Sequence, residues 1–579
     1  MHLASIQMRV LGLMVIGTIC SLIACGGGGG GASTAVASAQ NPTLSTAIES
    51  VAVSPAALAM AIGAQNQFSA DVQGTGSFSA TILWSALRGS ITSTGLYTAP
   101  STAGSDAVTA ASSEDPSKSS TVNILVTAGS MAAPLLSGPV EVQQLSGPYS
   151  ASATLASGLA AQWSITGGTL LSAASGATVQ FQAGSAAIAT LGCTVSNGTG
   201  NASTQRWVVA LPFPPRNYLA DTKALLAANQ GSISSEIASG NSATYYFTSY
   251  SLMGLAASAD ATGDATVMAA LVGYINQIMA QAQPLVRNGA TYQQWGPWDV
   301  NGNPQQLNTF QAMGPLARTA AIIARNPKFL AQYGTELSQI VAFVDQSIFK
   351  YWFDKNSGVY SDPGSSWLGG SIPWLPAALG GWGQYLFQVD TCSHLGMIAT
   401  WMYQATQNPL YLEYATRVAK GFRTHITVQN GCWIWDQGTV PIAVGDNQDG
   451  SPDTSHSNRE TMMVVAMHEA GIEYTLSDVQ LLAATFTKVI WNQDYANPMF
   501  SNYIDGSNLG YRTVPAWANG VVFHGWDMVG KYSAQAQRVL AICDQALVAG
   551  TPQNLSLSSN TSLYGKLELS GALAWNCAQ

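Results

Sequence analysis

Residues 405–409, Ala-Thr-Gln-Asn-Pro, mark a corner that decides the predicted fold of the C-terminal part. Residues 324–327, Ala-Arg-Asn-Pro, repeat this corner, and residues 259–264, Ala-Asp-Ala-Thr-Gly-Asp, resemble it. Each corner separates two apolar stretches of helical periodicity, because Asn or Asp caps a helix and Pro fits into its first turn. After these corners the pattern predicts helices over residues 265–282, 328–351 and 410–425.

The pairing of helices into hairpins continues towards the C-terminus. Two more pairs are predicted, residues 458–474 with 478–491 and 519–531 with 534–548. The two ends of this part, residues 218–229 and 563–575, could form a sixth pair. Connections are short within pairs and long between them. A single hairpin cannot bury its apolar face, so residues 216–579 are predicted to form an all-α (α/α)5–6 toroid. A solenoid has the same periodicity but usually shorter, more uniform loops.

Two stretches before the helices have β-strand patterns. Residues 47–128 consist of short alternating runs broken by turn residues, with Trp84 expected at the centre of a core. Residues 133–211 repeat the pattern, with Trp163 and Cys193 as expected core residues. The run from Gly89 to Pro100 resembles bacterial Ig-like repeats, and residues 133–211 resemble Ig/PKD-like modules. We therefore predict a multidomain chain in which two N-terminal all-β Ig-like sandwiches precede the toroid.

The first 25 residues have the pattern of a signal peptide. Residues 10–23 are apolar but too short to span a bilayer, and residues 22–25, Leu-Ile-Ala-Cys, resemble the lipobox of bacterial lipoproteins. The resemblance implies lipidation of Cys25, followed by a Gly/Ser-rich tether over residues 26–46. We expect a secreted protein that is lipid-anchored to the bacterial outer membrane or cell surface. Ordinary cleavage with free secretion is the alternative.

Composition argues against a nucleic-acid partner. The 579 residues include only 9% charged side chains, the formal net charge is −9, and no basic tract occurs. Membrane contact is expected through the lipid anchor only, and the chain is expected to be a monomer. No pair of cysteines has the spacing of a zinc site, whereas an oxidising compartment makes Cys543 with Cys577, and Cys392 with Cys432, candidate disulfides.

A sequence motif that combines Asp, Ser and His occurs twice, each time at the start of a predicted helix. Residues 390–396 read Asp-Thr-Cys-Ser-His-Leu-Gly, and residues 453–460 read Asp-Thr-Ser-His-Ser-Asn-Arg-Glu. The chain has only six histidines, so two at matched positions indicate a functional site. The spacing of His456, Arg459 and Glu460 predicts that they share one helix face. The structural alternative is that Asp and Ser cap the helices while each His packs under a Trp.

Tryptophans in the predicted long loops form a second signal. Sugar rings have apolar faces and polar rims, so Trp beside Asp, Asn and Gln favours carbohydrate binding, although some of these rings must simply anchor loops. The candidates for substrate binding are Trp295, Trp298, Trp433, Trp435, Asn308 and Gln311. Tyr246, near the start of the first inner helix, is a candidate proton-transfer group.

Residues 216–579 resemble the six-hairpin and (α/α)-toroid carbohydrate-active enzymes. Within that set, His456 followed by Asn458 and Arg459 is similar to polysaccharide lyases of the alginate-lyase type. The resemblance implies that these three residues meet a uronate carboxylate, while Tyr246 or His394 abstracts the C5 proton. Asp390 and Glu460 are expected to contribute to substrate binding. The chain is accordingly predicted to degrade a cell-envelope polysaccharide by β-elimination.

Two other functions remain open at this stage. An inverting glycoside hydrolase requires two carboxylates about 6.5–9.5 Å apart, for which Asp299 and Asp453 are candidates. A non-catalytic, anchored glycan-binding or adhesion protein would have a similar cleft without turnover. No cofactor is predicted, but residues 446–453, Asp-Asn-Gln-Asp-Gly-Ser-Pro-Asp, could supply oxygen ligands to Ca²⁺ instead of forming a simple turn.

The lipobox predicts the location of the protein. Replacing the lipidated side chain by Cys25→Ser should move the protein from the membrane fraction to the soluble fraction, because the acyl chains provide the expected anchor. Fractionation followed by immunodetection measures this change. A wild-type protein that is soluble and carries no lipid by mass spectrometry would contradict the assignment.

Overall fold

The computed structural model describes residues 47–127, 131–156, 159–197, 200–298, 302, 304–353, 389–436, 451–508, 520–522, 525–550 and 563–578. Cys25 and the tether lie outside the described residues. The chain divides into two compact units, Met1–Gly129 and Ser130–Gln579. Among the described residues, no helix combines the length and the apolar character that a membrane span requires.

The first unit is built from β-strands. They are β1 (Ala47–Ser54), β2 (Leu58–Ala61), β3 (Gln65–Gln67), β4 (Ser69–Thr75), β5 (Ile82–Ala86), β6 (Ser90–Ile91), β7 (Leu96–Thr98), β8 (Gly104–Ser112) and β9 (Ser119–Thr127). The sheets have the orders β1-β4, β2-β9-β8-β5 and β3-β7-β6. Phe68 and Tyr97 are buried in the core, whereas Trp84 is only half-buried beside Phe68. Trp84 was predicted to lie at the centre of this core, and this prediction is wrong.

The second unit begins with a β-module of two sheets that enclose one apolar core. Its strands are β10 (Leu135–Ser137), β11 (Glu141–Gln143), β12 (Tyr149–Thr154), β13 (Ala160–Thr166), β14 (Gly168–Leu170), β15 (Thr178–Ala183), β16 (Ile188–Ser196) and β17 (Asn201–Leu211). The orders β10-β12-β15-β14 and β11-β17-β16-β13 place four strands in each sheet. Trp163 and Cys193 are both buried in this core, which confirms that they are core residues.

The remaining part of the second unit is mainly helical. Its helices are α1 (Tyr218–Ala238), α2 (Ser242–Thr262), α3 (Ala265–Ala280), α4 (Gln306–Arg325), α5 (Pro327–Val344), α6 (Tyr351–Phe353), α7 (Val389–Thr406), α8 (Pro409–Arg423), α9 (Asn458–Glu469), α10 (Leu476–Thr485), α11 (Ala534–Val548) and α12 (Leu563–Cys577). Two π-helical segments, Asp345–Lys350 and Phe486–Ile490, extend α5 and α10, and Trp526–Lys531 is a 3-10 helix.

The predicted corners cap helices in the structure. The side chain of Asp264 accepts hydrogen bonds from the first turn of α3, Asn326 does so for α5, and Asn408 does so for α8. Pro327 and Pro409 occupy the first turns of α5 and α8. These contacts satisfy backbone N–H groups that have no partner within the helix. The helix starts at the three corners are therefore confirmed.

The prediction of an all-α toroid is wrong. Two β-hairpins interrupt the helices, β18 (Gln283–Arg287) with β19 (Ala290–Gln294), and β20 (Ile426–Gln429) with β21 (Cys432–Trp435). Each hairpin turns at an Asn-Gly pair, Asn288-Gly289 and Asn430-Gly431, in which all four residues have positive φ. Asn-Gly favours such tight turns, so strand pairing prevails in connections that were predicted to be loops.

Six segments of the helical part pack against one another in a closed order. The order is α2, α4, α7, α9, the 3-10 helix Trp526–Lys531, α12 and again α2. The close approach of α2 and α12 depends on Gly254 and Gly571, since a Cβ at either glycine would overlap the backbone of the other helix. This packing brings the N-terminal ends of α2, α4 and α9 to the region in which the candidate site lies.

The five cysteines of the described residues form no disulfide, so both predicted pairings are wrong. Cys543 is fully buried within the apolar face of α11, while the thiol of Cys577 accepts a hydrogen bond from Gln537 Nε2 at 3.6 Å. Cys392 is buried in α7, and Cys432 donates to the carbonyl of Asn430 at 3.9 Å. Burial raises the pKa of the thiols of Cys193, Cys432, Cys543 and Cys577. The four buried cysteines therefore serve as small apolar core groups.

A buried carboxyl group joins the second β-module to the helices. Glu141 on β11 accepts hydrogen bonds from the Tyr218 hydroxyl at 2.8 Å and from Gln537 Nε2 at 2.7 Å. Beside it, Val209 and Leu211 of β17 pack against Ala534 and Ala541 of α11. Burial raises the pKa of Glu141 to about 7, although both hydrogen bonds oppose this shift. The interface between the β-module and the helical part therefore combines buried hydrogen bonds with apolar packing.

The raised pKa of Glu141 predicts how stability depends on pH. An unfolded glutamate ionises near its ordinary pKa of 4.5, whereas the folded one ionises near 7. The free energy of unfolding should therefore fall as pH rises between these values, by up to about 3 kcal/mol from this group. Glu141→Gln should remove this loss, so that the variant gains stability relative to the wild type between pH 4.5 and 8. Urea unfolding at a series of pH values measures the difference.

Glu413→Gln is the matched control, because Glu413 is exposed and pairs only with Arg417 one turn away. A surface pair of this kind contributes little, and the control should follow the wild type at every pH. A constant difference between Glu141→Gln and the wild type across pH 4.5–8 would contradict the prediction.

Candidate functional site

The candidate site is formed by the turn 453–457 and by the helices around it. The turn precedes α9 and is attached to the segment that follows α10, because Thr454 N–H donates to the Asn502 carbonyl at 2.8 Å and Asp453 pairs with Tyr503. Trp526 Nε1 donates to the Thr454 carbonyl and to Ser457 Oγ, both at 3.2 Å. The turn is therefore fixed from two sides.

Asp453 orients His456 within this turn. One carboxylate oxygen of Asp453 lies 2.6 Å from His456 Nδ1, and the other accepts hydrogen bonds from the N–H groups of Ser455 and His456. Asp453 is fully buried, whereas 27% of the His456 side chain is exposed. The carboxylate fixes the ring orientation and favours the tautomer with a proton on Nδ1, in which the lone pair lies on Nε2.

Arg459 connects this turn to two other helices. Its Nη2 donates to the Tyr246 hydroxyl of α2, and its Nε donates to Gln311 Oε1 of α4 at 3.4 Å. Nη1 lies 3.5 Å from the carbonyl of His456. The guanidinium also lies 5.4 Å from the centroid of the Tyr246 ring, a distance at which a cation is attracted to an aromatic face. One side chain therefore sets the relative positions of Tyr246, Gln311 and His456.

Arg459 is a buried charge beneath the site. Only 2% of the residue is exposed. Burial lowers its pKa to about 10, and the neighbouring Glu460 opposes this shift. The guanidinium is still protonated at neutral pH. Its burial argues against the predicted direct contact of Arg459 with a substrate carboxylate. Tyr246, its hydrogen-bond partner, is only half-buried.

His394 does not occupy a position equivalent to that of His456. Helix α7 begins at Val389, so His394 lies in its second turn, whereas His456 precedes α9. His394 is 2% exposed, and burial lowers its pKa to about 3. The ring is therefore neutral at physiological pH and too poor a base for the predicted proton abstraction. The apparent repeat of the two sequences does not correspond to a structural repeat.

The predicted common face of α9 is also wrong in part. Glu460 lies 3.5 Å from Ser393 Oγ of α7, while Arg459 points towards α2 and α4. Asn458 is 1% exposed and its side chain donates to the Ser455 carbonyl, so it stabilises the turn and does not present its amide to a ligand. Of the three residues predicted to meet a carboxylate, His456 alone is appreciably exposed.

Three of the four tryptophans predicted to bind substrate are core residues. Trp295 is fully buried and donates to the Ile278 carbonyl at 3.0 Å. Trp433 packs against Tyr474, and Trp435 stacks on Trp526 with 6.0 Å between the ring centroids. The β-hairpins turn these side chains inward, so they anchor the connections and do not form a sugar platform.

Two aromatic side chains of the helical part are exposed. Trp298, the fourth predicted tryptophan, is 36% exposed, and Phe247, next to Tyr246, is 52% exposed. Phe247 was not predicted, because its exposure depends on how α2 packs. Gln311 is buried and donates to Ser249 Oγ at 2.8 Å, while Asn308 donates to Gln305. Both Asp299 and the side chain of Asp390 lie outside the described residues.

Among the residues that the structure describes, no group of three or more His, Cys, Asp or Glu side chains could hold a metal ion. Residues 446–450 of the loop considered for Ca²⁺ lie outside the described ranges. Asp453, its last residue, already uses both carboxylate oxygens for the turn and for His456.

Comparison with known proteins gives a partial structural similarity. No family model matches the chain, and no curated protein is significantly similar in sequence. The structure is similar to a family 76 glycoside hydrolase from a bovine Bacteroides thetaiotaomicron strain, with 8% identity, 76% of this chain and 98% of that chain covered, and a TM-score of 0.35.

Two further solved structures show similarity of the same degree. One is an inactive variant of an α-1,6-mannanase from Salegentibacter sp., with 14% identity, 57% and 89% coverage of the two chains, and a TM-score of 0.32. The other is a β-1,2-glucanase from Parabacteroides distasonis, with 11% identity, 84% and 76% coverage, and a TM-score of 0.34. The structural neighbours thus include glycoside hydrolases, but similarity this low carries no argument about the reaction.

Gly525 is a residue of the site that the sequence pattern did not reveal. Its φ is 142°, and a Cβ there would overlap the carbonyl oxygen of Asn458 and lie 2.9 Å from the carbonyl carbon. Gly525→Ala should therefore lower the free energy of unfolding by more than about 2 kcal/mol, because neither backbone can move freely. Chemical denaturation measures the change.

The control is Gly273→Ala in α3, where nothing lies within 4 Å of the added Cβ. Alanine is favoured over glycine in a helix by up to about 1 kcal/mol, so the control should be as stable as the wild type or more stable. Equal stability of Gly525→Ala and the wild type would disprove the close approach of Gly525 to Asn458.

Proposed function

We propose that the chain is a polysaccharide-degrading enzyme and that His456 and Tyr246 are its proton-transfer groups. The observation that carries the proposal is that each of these partly exposed side chains is held by a buried charged partner. Asp453 holds His456 at 2.6 Å, and Arg459 donates to the hydroxyl of Tyr246. Fixed partners of this kind are what general acid–base catalysis requires.

The reaction class that we propose is β-elimination on a uronate-containing glycan. His456 Nε2 removes the proton from C5, which the uronate carboxyl group makes acidic. The electron pair of the C5–H bond forms the double bond between C4 and C5, and the C4–O4 bond breaks. The Tyr246 hydroxyl then protonates O4 of the leaving sugar. Every atom that moves is supplied by the substrate or by these two side chains.

The buried partners stabilise the charges that this step creates. The imidazolium formed on His456 is neutralised by the carboxylate of Asp453, to which its Nδ1–H already points. The phenolate left on Tyr246 lies against the guanidinium of Arg459, whose positive charge stabilises it. Both charges are therefore stabilised without reorganisation of the site.

The carboxylates that the structure describes at the site favour elimination over hydrolysis. An inverting hydrolase requires two accessible carboxyl groups, but Asp453 and Glu460 are buried. Asp453 is also committed to the turn 453–457. The alternative hydrolase pair would need Asp299, which lies outside the described residues, and the test below distinguishes the two reactions.

We further propose that the enzyme acts at the bacterial cell surface. The support is the lipobox-like sequence that ends at Cys25 and the glycine-rich tether after it. A lipid-anchored enzyme would meet polysaccharide outside the cell, while the tether allows the folded units to reach it.

The first experiment is a screen of uronate-containing and neutral polysaccharides with the full-length protein. We expect an increase in ultraviolet absorbance from the unsaturated product on a uronate-containing polymer. His456→Ala and Tyr246→Phe should each lower kcat by at least about 100-fold, because each variant lacks one proton-transfer group. The melting temperature of His456→Ala should change little, because the ring is partly exposed. That of Tyr246→Phe should fall, because the buried guanidinium of Arg459 loses an acceptor.

His425→Ala is the matched control. His425 also lies 2.7 Å from an aspartate, Asp436, but this pair is on the surface, with 55% of the Asp436 side chain exposed. The control should keep wild-type activity. New reducing ends without ultraviolet absorbance would exclude β-elimination and point to hydrolysis, and full activity of His456→Ala would move the site elsewhere.

A further inference from the structure

A small cavity shares three residues with the candidate site. It lies between α2, α4, α7 and α9, and Gln311, Asn458 and Arg459 form part of its wall. His394 completes the polar wall, and apolar side chains such as Met253 and Trp401 line the remainder. The cavity volume is about 10 Å³, which is close to the minimum that one water molecule requires.

The polar atom that lacks a partner in this cavity is Nε2 of His394. The residue is 2% exposed, and Nε2 makes no hydrogen bond within the part of the chain that the structure describes. A buried ring nitrogen without a partner destabilises the folded state. Native proteins usually satisfy such an atom with protein or with water.

A backbone carbonyl of a residue that lines the cavity also lacks its usual donor. Pro315 lies inside α4, and proline has no N–H to donate to the carbonyl four residues earlier. That carbonyl belongs to Gln311, and both residues line the cavity. One molecule in the cavity with two O–H groups could therefore satisfy Gln311 and His394 together.

We infer that one water molecule occupies this cavity, bonded to His394 Nε2 and to the Gln311 carbonyl, and that His394 is thereby a positioning residue for the Arg459–Tyr246 pair. The connection runs through Gln311, whose side chain accepts from Arg459 Nε at 3.4 Å and donates to Ser249 Oγ at 2.8 Å. The positioning role rests on the proposed function, whereas the bound water does not.

The charge of the cavity wall selects water over a metal ion. Imidazole and the thioether of Met253 are ligands for soft cations, but the guanidinium of Arg459 forms part of the same wall and is protonated at neutral pH. A second positive charge at this short distance in a buried site is strongly unfavourable. A neutral molecule that both donates and accepts hydrogen bonds fits the wall.

A crystal structure of the wild-type protein at a resolution that shows ordered water tests the bound molecule. We expect one water peak within hydrogen-bond distance of His394 Nε2 and of the Gln311 carbonyl. A dry cavity would overturn the inference, as would a stronger peak whose anomalous signal identifies a metal. This measurement does not depend on enzymatic activity.

Kinetics of two His394 variants test the positioning role on the polymer found in the screen. His394→Gln keeps an acceptor for the water and should retain most of kcat. His394→Leu removes it and should lower kcat by about 10- to 100-fold with little change in KM, because the catalytic groups shift while the binding surface stays intact. Met397→Leu, a change in the apolar wall of the same cavity, is the control and should behave as the wild type.

Several outcomes would contradict the positioning role. They are full activity of a folded His394→Leu variant, or an equal loss of kcat in His394→Gln, His394→Leu and Met397→Leu. If His394→Leu does not fold, His394→Gln is tested together with its crystal structure. Near-wild-type kcat with the water peak retained supports the role, and a large loss of kcat with the water retained, or full kcat with the water lost, refutes it. A wild-type protein that degrades no polysaccharide would refute the proposed function, while the crystallographic test of the water would stand.

Discussion

The burial of one guanidinium, that of Arg459, is the constraint on which the candidate site depends. A buried charge is costly unless nearby groups compensate it, and here the compensating groups come from different helices. Tyr246 belongs to α2, Gln311 to α4, and Glu460 follows Arg459 in α9. The helices must therefore assemble in one arrangement before the charge is satisfied. The same requirement fixes the hydroxyl of Tyr246 relative to the turn that carries His456.

In the turn 453–457, too, one buried charged side chain has two structural roles. Asp453 caps the turn and also orients His456, so one carboxylate serves folding and the proposed chemistry. Such double use explains why the choice between a capping role and a functional role could not be made from the residues alone. Capping and orienting His456 both use the carboxylate oxygens of Asp453. Only the partial exposure of His456 indicates a role beyond capping.

Sequence reasoning located the helix corners and the segment 453–460, because capping and helical periodicity are local properties. It failed where the outcome depended on packing. His394 and His456 follow similar sequences, yet the first is buried within a helix while the second is partly exposed in a turn. The two Asn-Gly pairs are a local sequence signal for β-hairpins. The second pair predicts that Trp433 and Trp435 lie on a strand. The burial of Trp295 and the exposure of Phe247 follow only from the tertiary structure.

The contact of Glu141 with Tyr218 and Gln537 has a consequence for how such a protein could be rearranged by recombination. The helical part has two polar groups and an apolar patch on α11 that are satisfied by β11 and β17. A gene fusion that joined the helices to an unrelated leading module would leave Tyr218 and Gln537 without their acceptor. The helical part therefore depends on the β-module of residues 133–211 for these contacts, whereas the first β-unit has its own cores.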